Sequence, residues 1–98
     1  MGNEKPVFKM TGIKLESYDL MKEVHVRWNF VGVKNPKIKL KGLSFNYVGS
    51  HDKTHPEEIF SEQANGSNEL TVYFTLGINR WKGREYIQLM VEKITLLP

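Results

Sequence analysis

Residues 24–30, Val-His-Val-Arg-Trp-Asn-Phe, alternate apolar and polar side chains without a break. A period of two puts Val24, Val26, Trp28 and Phe30 on one face of a strand and His25, Arg27 and Asn29 on the other. Other stretches carry the same signature less cleanly. Residues 7–18 alternate loosely around Gly12, which predicts a bent or bulged first strand. Asn35-Pro36 breaks the second strand and opens a turn into a third over residues 37–47, where Ile38 and Leu40 alternate with Lys37, Lys39 and Lys41. The phase slips near Gly42, so Leu43 and Phe45 point opposite to Ile38 and Leu40 unless a bulge restores the register. Leu70, Val72, Phe74, Leu76 and Ile78 predict a fourth strand, and Ile87, Leu89 and Val91 the core face of a fifth.

Between the third and fourth strands the period changes. Thr54-His55-Pro56-Glu57 has the form of a capping box, with Thr54 as the cap, Pro56 in the first turn and Glu57 reaching back. Ile59, Phe60, Gln63 and Ala64 complete about two turns of helix. Asn65-Gly66 ends it, because both residues tolerate a left-handed backbone.

Three strands, a short helix and two strands make the order of an all-β, five-stranded Greek-key barrel of the OB type, with one short helix between strands three and four. A β-sandwich or an SH3-like barrel is the alternative. In an OB barrel the ligand surface lies on strands two and three and on the loops joining strands one to two and four to five. Arg27, Lys37 and Lys39 fall on those elements, as does the hairpin tip Arg80-Trp81-Lys82-Gly83-Arg84.

The chain has 98 residues, a hydrophobic share of 40% and no cysteine. That suits one domain over residues 1–98, with residues 1–6 expected to fray or to be foreign to it. Without cysteine there is no disulfide, thiolate nucleophile or thiolate metal site, and a reducing compartment fits. No apolar run approaches the ~20 residues of a membrane span, and a cytoplasmic location is expected.

The net charge of +3 is small, but its distribution is segregated. Arg27, Lys34, Lys37, Lys39 and Lys41 occur with no intervening acid, and Arg80, Lys82 and Arg84 form a second basic cluster. Glu57, Glu58, Glu62 and Glu69 form an acidic stretch between them. Charge sorted this way favours a polyanionic partner over a mixed, solvated surface.

Catalysis by this chain alone finds no support. The acids sit mostly in the helix and its flanking loops rather than converging. His51, Asp52 and His55 are three polar residues of one loop, without a fourth ligand or helical spacing, and read as an ordinary loop. No phosphate cradle, Ser/His/Asp set or H-E-x-x-H motif is present. Asn65-Gly66-Ser67 matches a glycosylation acceptor but reads as a turn.

Trp28 lies among apolar neighbours and is assigned to the core. Trp81, between Arg80 and Lys82, either stacks a base or covers one end of the barrel. Tyr73 and Tyr86 have the same choice between stacking and cross-strand packing. Arg27 is the stronger phosphate candidate beside His25, since guanidinium is planar and always charged.

Two stretches together resemble the C-terminal OB domain of RecJ-type, single-strand-specific 5′→3′ DNA exonucleases of the DHH family. The first is His25-Val26-Arg27-Trp28 with Leu40-Lys41-Gly42-Leu43-Ser44-Phe45-Asn46. The second is Ile78-Asn79-Arg80-Trp81-Lys82-Gly83-Arg84, leading to Gln88-Leu89-Met90-Val91-Glu92-Lys93-Ile94. The resemblance implies a non-catalytic module that grips single-stranded DNA beside an upstream nuclease core, in recombination and repair. Manganese or magnesium would belong to that core, and no cofactor to this chain. By motif position it implicates His25, Arg27, Asn79, Trp81, Arg84 and Gln88; Lys37, Lys39, Arg80 and Lys82 join them on charge alone. Gln88 has a second reading, as a structural amide tying strand five to the neighbouring loop. The alternative function is docking, either on the nuclease core or onto a partner such as single-strand-binding protein.

Overall fold

The computed structural model describes residues 6–22, 24–47, 55–66 and 69–97. Five strands and one helix follow in the order β1 (Phe8–Met21), β2 (His25–Gly32), β3 (Lys39–Ser44), α1 (Pro56–Ala64), β4 (Glu69–Trp81) and β5 (Arg84–Leu97). The strands close into a barrel in the spatial order β1-β2-β3-β5-β4. All neighbours are antiparallel except β3 and β5, which run parallel. This is the OB architecture, with its helix between the third and fourth strands. Among the described residues no helix is long and apolar enough to cross a membrane.

The barrel closes because β2 and β3 present an interior face that fits β5 at short range. Trp28 is fully buried, stacks on Phe30 with centroids 5.9 Å apart and meets Tyr47 edge-on at 5.0 Å. Its indole N–H donates to Ser44 Oγ at 2.8 Å, and the Ser44 hydroxyl donates to the Val91 carbonyl at 2.9 Å. A polar tip inside the core is tolerable because each donor finds an acceptor. Burial, reinforced by the Glu58 carboxylate, raises the Tyr47 phenol well above its ordinary range.

The slip near Gly42 is resolved without a bulge. β2 and β3 pair continuously from Val26 opposite Ser44 to Val31 opposite Lys39. The interior residues of β3 are Leu40, Gly42 and Ser44, while Leu43 faces outward and Ile38 and Phe45 are exposed. Only glycine fits at position 42, since a Cβ there would lie 2.6 Å from Val91 Cγ2. The strand is shorter than expected, beginning at Lys39 instead of residue 37.

β1 bends as its glycine suggests. Gly12 has φ 74°, and pairing shifts between Met10 and Ile13 against β4 and between Leu15 and Ser17 against β2. Beyond Ile13 the edge facing β4 is open, and the Gln63 side chain fills it. Leu15 N–H donates to Gln63 Oε1 at 2.8 Å, and Gln63 Nε2 donates to the Leu15 carbonyl at 3.1 Å. One helix amide thus stands in for a strand residue and ties α1 to the barrel. Ile59, fully buried, anchors the same helix in the core.

The helix cap differs from the expected one. Thr54 lies outside the described residues; the N-cap is His55, whose Nδ1 accepts from the Glu57 N–H at 3.1 Å. At the other end Gly66, with φ 111°, takes the positive-φ position while Asn65 does not.

A second correction concerns β4 and β5. Leu76, Ile78 and Ile87 were expected in the core, yet they are 43%, 69% and 75% exposed. The pairing explains why. β1 leaves β4 at Phe74, and β3 touches β5 only at Leu89 and Met90. The pair therefore outruns the barrel as a two-stranded arm over residues 75–88, where among the described residues the apolar side chains Leu76, Ile78 and Ile87 stay exposed.

Candidate nucleic-acid interface

The turn Lys82-Gly83 joins the arm's strands with both residues at positive φ, 51° and 77°. That matches the two-residue turn favoured by twisted hairpins, and it fixes the register. Trp81 lies opposite Arg84, Arg80 opposite Glu85, Asn79 opposite Tyr86, Ile78 opposite Ile87 and Gly77 opposite Gln88. Opposed residues share a face and sequence neighbours do not. One face carries Asn79, Trp81, Arg84, Tyr86 and Gln88. The other carries Leu76, Ile78, Ile87 and Leu89, then Arg80 and Glu85.

The first of these faces continues onto the outer wall of the barrel. Arg27 pairs with Leu43 and Leu43 with Met90, while Lys41 and Gln88 each lie two residues along from those partners. Arg27, Lys41, Gln88, Arg84 and Trp81 therefore occupy one continuous sheet surface. Arg27, Lys41 and Arg84 are exposed, and among the described residues none has a carboxylate within 4.0 Å. Asp19 is the residue across from Arg27 on β1 but forms no such pair.

The remaining candidates are placed differently. Arg80 is on the opposite face, where its Nε lies 3.2 Å from Glu85 Oε1. Lys39 reaches Glu16 on β1 at 3.3 Å, and both groups are largely exposed. Pairs this exposed contribute little to stability, but each offsets a charge within a basic run. Lys37 sits in the β2–β3 turn, where its N–H donates to Asn35 Oδ1 at 3.1 Å. Half-buried His25 accepts from the Asn46 N–H through Nδ1 at 3.2 Å and meets Phe45 edge-on at 4.8 Å. Lys82 is at the tip, its Nζ 6.0 Å from the Trp81 ring centroid.

Trp81 is 62% exposed and covers no barrel end. Tyr86 is exposed two residues beyond Arg84, whereas Tyr73 is half-buried with Lys93 Nζ 5.9 Å from its ring centroid. Gln88 is half-buried, and its side chain bonds to no described residue; the structural amide is Gln63 instead. A profile of the RecJ OB domain matches residues 1–93. The chain belongs to that family. No curated protein gives a match.

In this RecJ OB domain, β3 and the arm diverge above their two paired residues, opening a groove of about 430 Å³. Arg27, Lys41, Met21, Leu43, Ile87 and Gln88 are among the residues that line it. In the sequence Lys41 is one member of a basic run, Leu43 belongs to a family motif without a role of its own, and Met21 stands in no motif. His51, Asp52 and Ser67 lie outside the described residues. Among those described, no group of three or more His, Asp or Glu side chains is placed to hold a metal ion.

Proposed function

We propose that this RecJ OB domain is a non-catalytic single-stranded-DNA-binding module. Its parent would be a RecJ-like 5′→3′ exonuclease acting in recombination and repair in the cytoplasm, with manganese or magnesium held by an upstream nuclease core. The observation that carries the reading is the shared surface of Arg27, Lys41 and Arg84, which have no close carboxylate among the described residues, beside exposed Trp81 and Tyr86. Unpaired cations neutralise phosphates, and exposed aromatic rings stack on bases of any sequence. Lys37, Lys39 and Lys82 add to the attraction at longer range.

Binding by the domain alone is expected in the 10⁻⁴–10⁻⁶ M range at physiological salt, weakening as salt rises. Replacing Arg27 and Arg84 together by Glu should abolish anisotropy changes with a labelled oligonucleotide while leaving the melting temperature within about 2 °C. Retained binding by that folded variant removes this face from consideration.

A second reading, docking, is favoured by the other side of the arm. Leu76, Ile78 and Ile87 form an exposed apolar strip, the kind of surface that proteins bury against partners. It suits packing on the nuclease core or on a partner such as single-strand-binding protein. The two readings use opposite faces of one ribbon and share only Ile87, which belongs to the strip and also lines the groove.

A further inference from the structure

Resting on the DNA-binding reading, we propose that the groove between β3 and the arm is a pocket for one unstacked nucleotide, whose base edge hydrogen-bonds to Gln88. β3 and β5 pair only at Gly42–Leu89 and Leu43–Met90. Upstream of Leu89, β5 leaves β3 and follows β4, so the cleft is a product of the topology, not of side-chain placement. Its volume of about 430 Å³ falls within the roughly 300–1,000 Å³ of small-ligand sites.

The lining matches a nucleotide in its parts. Met21, Leu43 and Ile87 offer apolar surface to a heterocycle. Arg27 and Lys41, both exposed, supply cations in the same lining for the phosphates attached to an inserted base. Gln88 is the uncharged polar side chain of the lining: half-buried, with one acceptor and two donors, and bonded to no described side chain or backbone group. A base edge supplies a donor and an acceptor side by side, which an amide can meet with two hydrogen bonds. A base inside a duplex stack cannot enter a cleft bounded by two strands, so the pocket selects single-stranded nucleic acid by shape.

Gln88 therefore separates base-dependent from phosphate-dependent affinity. The test measures the 98-residue chain, wild type and Gln88→Ala, against two labelled oligomers of equal length: oligo-dT and a fully abasic backbone. Gln88→Ala is expected to weaken oligo-dT binding by about fivefold or more and to leave abasic binding unchanged. Stacking on Trp81 does not mimic this, because that contribution persists in the variant. Equal loss on both oligomers, or no loss on oligo-dT, overturns the pocket while the DNA-binding reading stands. If the wild type binds neither oligomer, the DNA-binding reading fails and the pocket fails with it. As a second measurement, the Gln88 side-chain amide resonances should shift with oligo-dT and stay in place with the abasic strand.

Discussion

Val72 and Ile78 are β-branched residues on the same face of the same strand, yet one is 3% exposed and the other 69%. The first lies where β4 is flanked by β1 and β5, the second where it pairs with β5 alone. Amphipathic alternation dictates the direction a side chain points. Burial depends on whether the sheet still closes at that level. The barrel and the arm therefore share strands and pattern but differ in what holds them: a packed interior in one, a ladder and a tight turn in the other.

The largest test of that contrast removes a core ring and an arm pair in turn. Trp28→Ala deletes the stack on Phe30, the edge contact with Tyr47 and the bond to Ser44, and should cost about 3–5 kcal/mol in denaturant unfolding. Replacing both Ile78 and Ile87 by Ser should cost under about 1 kcal/mol, the size of one cross-strand pair. Similar losses for the two variants would mean that the arm is part of the folding core.

Gly42→Ala should fall between these, at about 1–3 kcal/mol. The added methyl must displace Val91, a stiff β-branched neighbour, at the point where β3 and β5 meet. Because the same contact sets where the arm diverges, this variant should also weaken oligonucleotide binding while still folded. An unchanged melting temperature would show that β3 and β5 approach less closely than described.

These particulars also show what the chain discloses before it folds. The strands, the helix and the buried Trp28 are legible because local period and composition determine them. The register of β3 stays open in the sequence because Gly42 and Ser44 do not look like core residues; one meets Val91 at close approach and the other makes a hydrogen bond. The exposure of Ile78 and Ile87 is illegible because it depends on where β1 and β3 end. The Lys39–Glu16 contact joins β3 to β1 where the β1 pairing shifts between Leu15 and Ser17, a place that local period does not disclose. Arg80–Glu85 was within reach: a two-residue turn at Lys82-Gly83 places position 80 across from 85. Of the candidate site, the basic strand and tip could be read from sequence, whereas the groove between β3 and the arm could not.

The smallest expected effect lies at the turn. Lys82 holds φ 51°, a conformation that Asn adopts more readily than Lys. Lys82→Asn removes a tip charge while suiting the backbone better, so the melting temperature should hold or rise by about 1–2 °C. If Lys82 touches a phosphate, the dependence of log affinity on log salt should flatten by about 0.7. A flatter slope with a steady melting temperature assigns the tip to binding and leaves folding to the barrel. An unchanged slope confines phosphate contact to Arg27, Lys41 and Arg84.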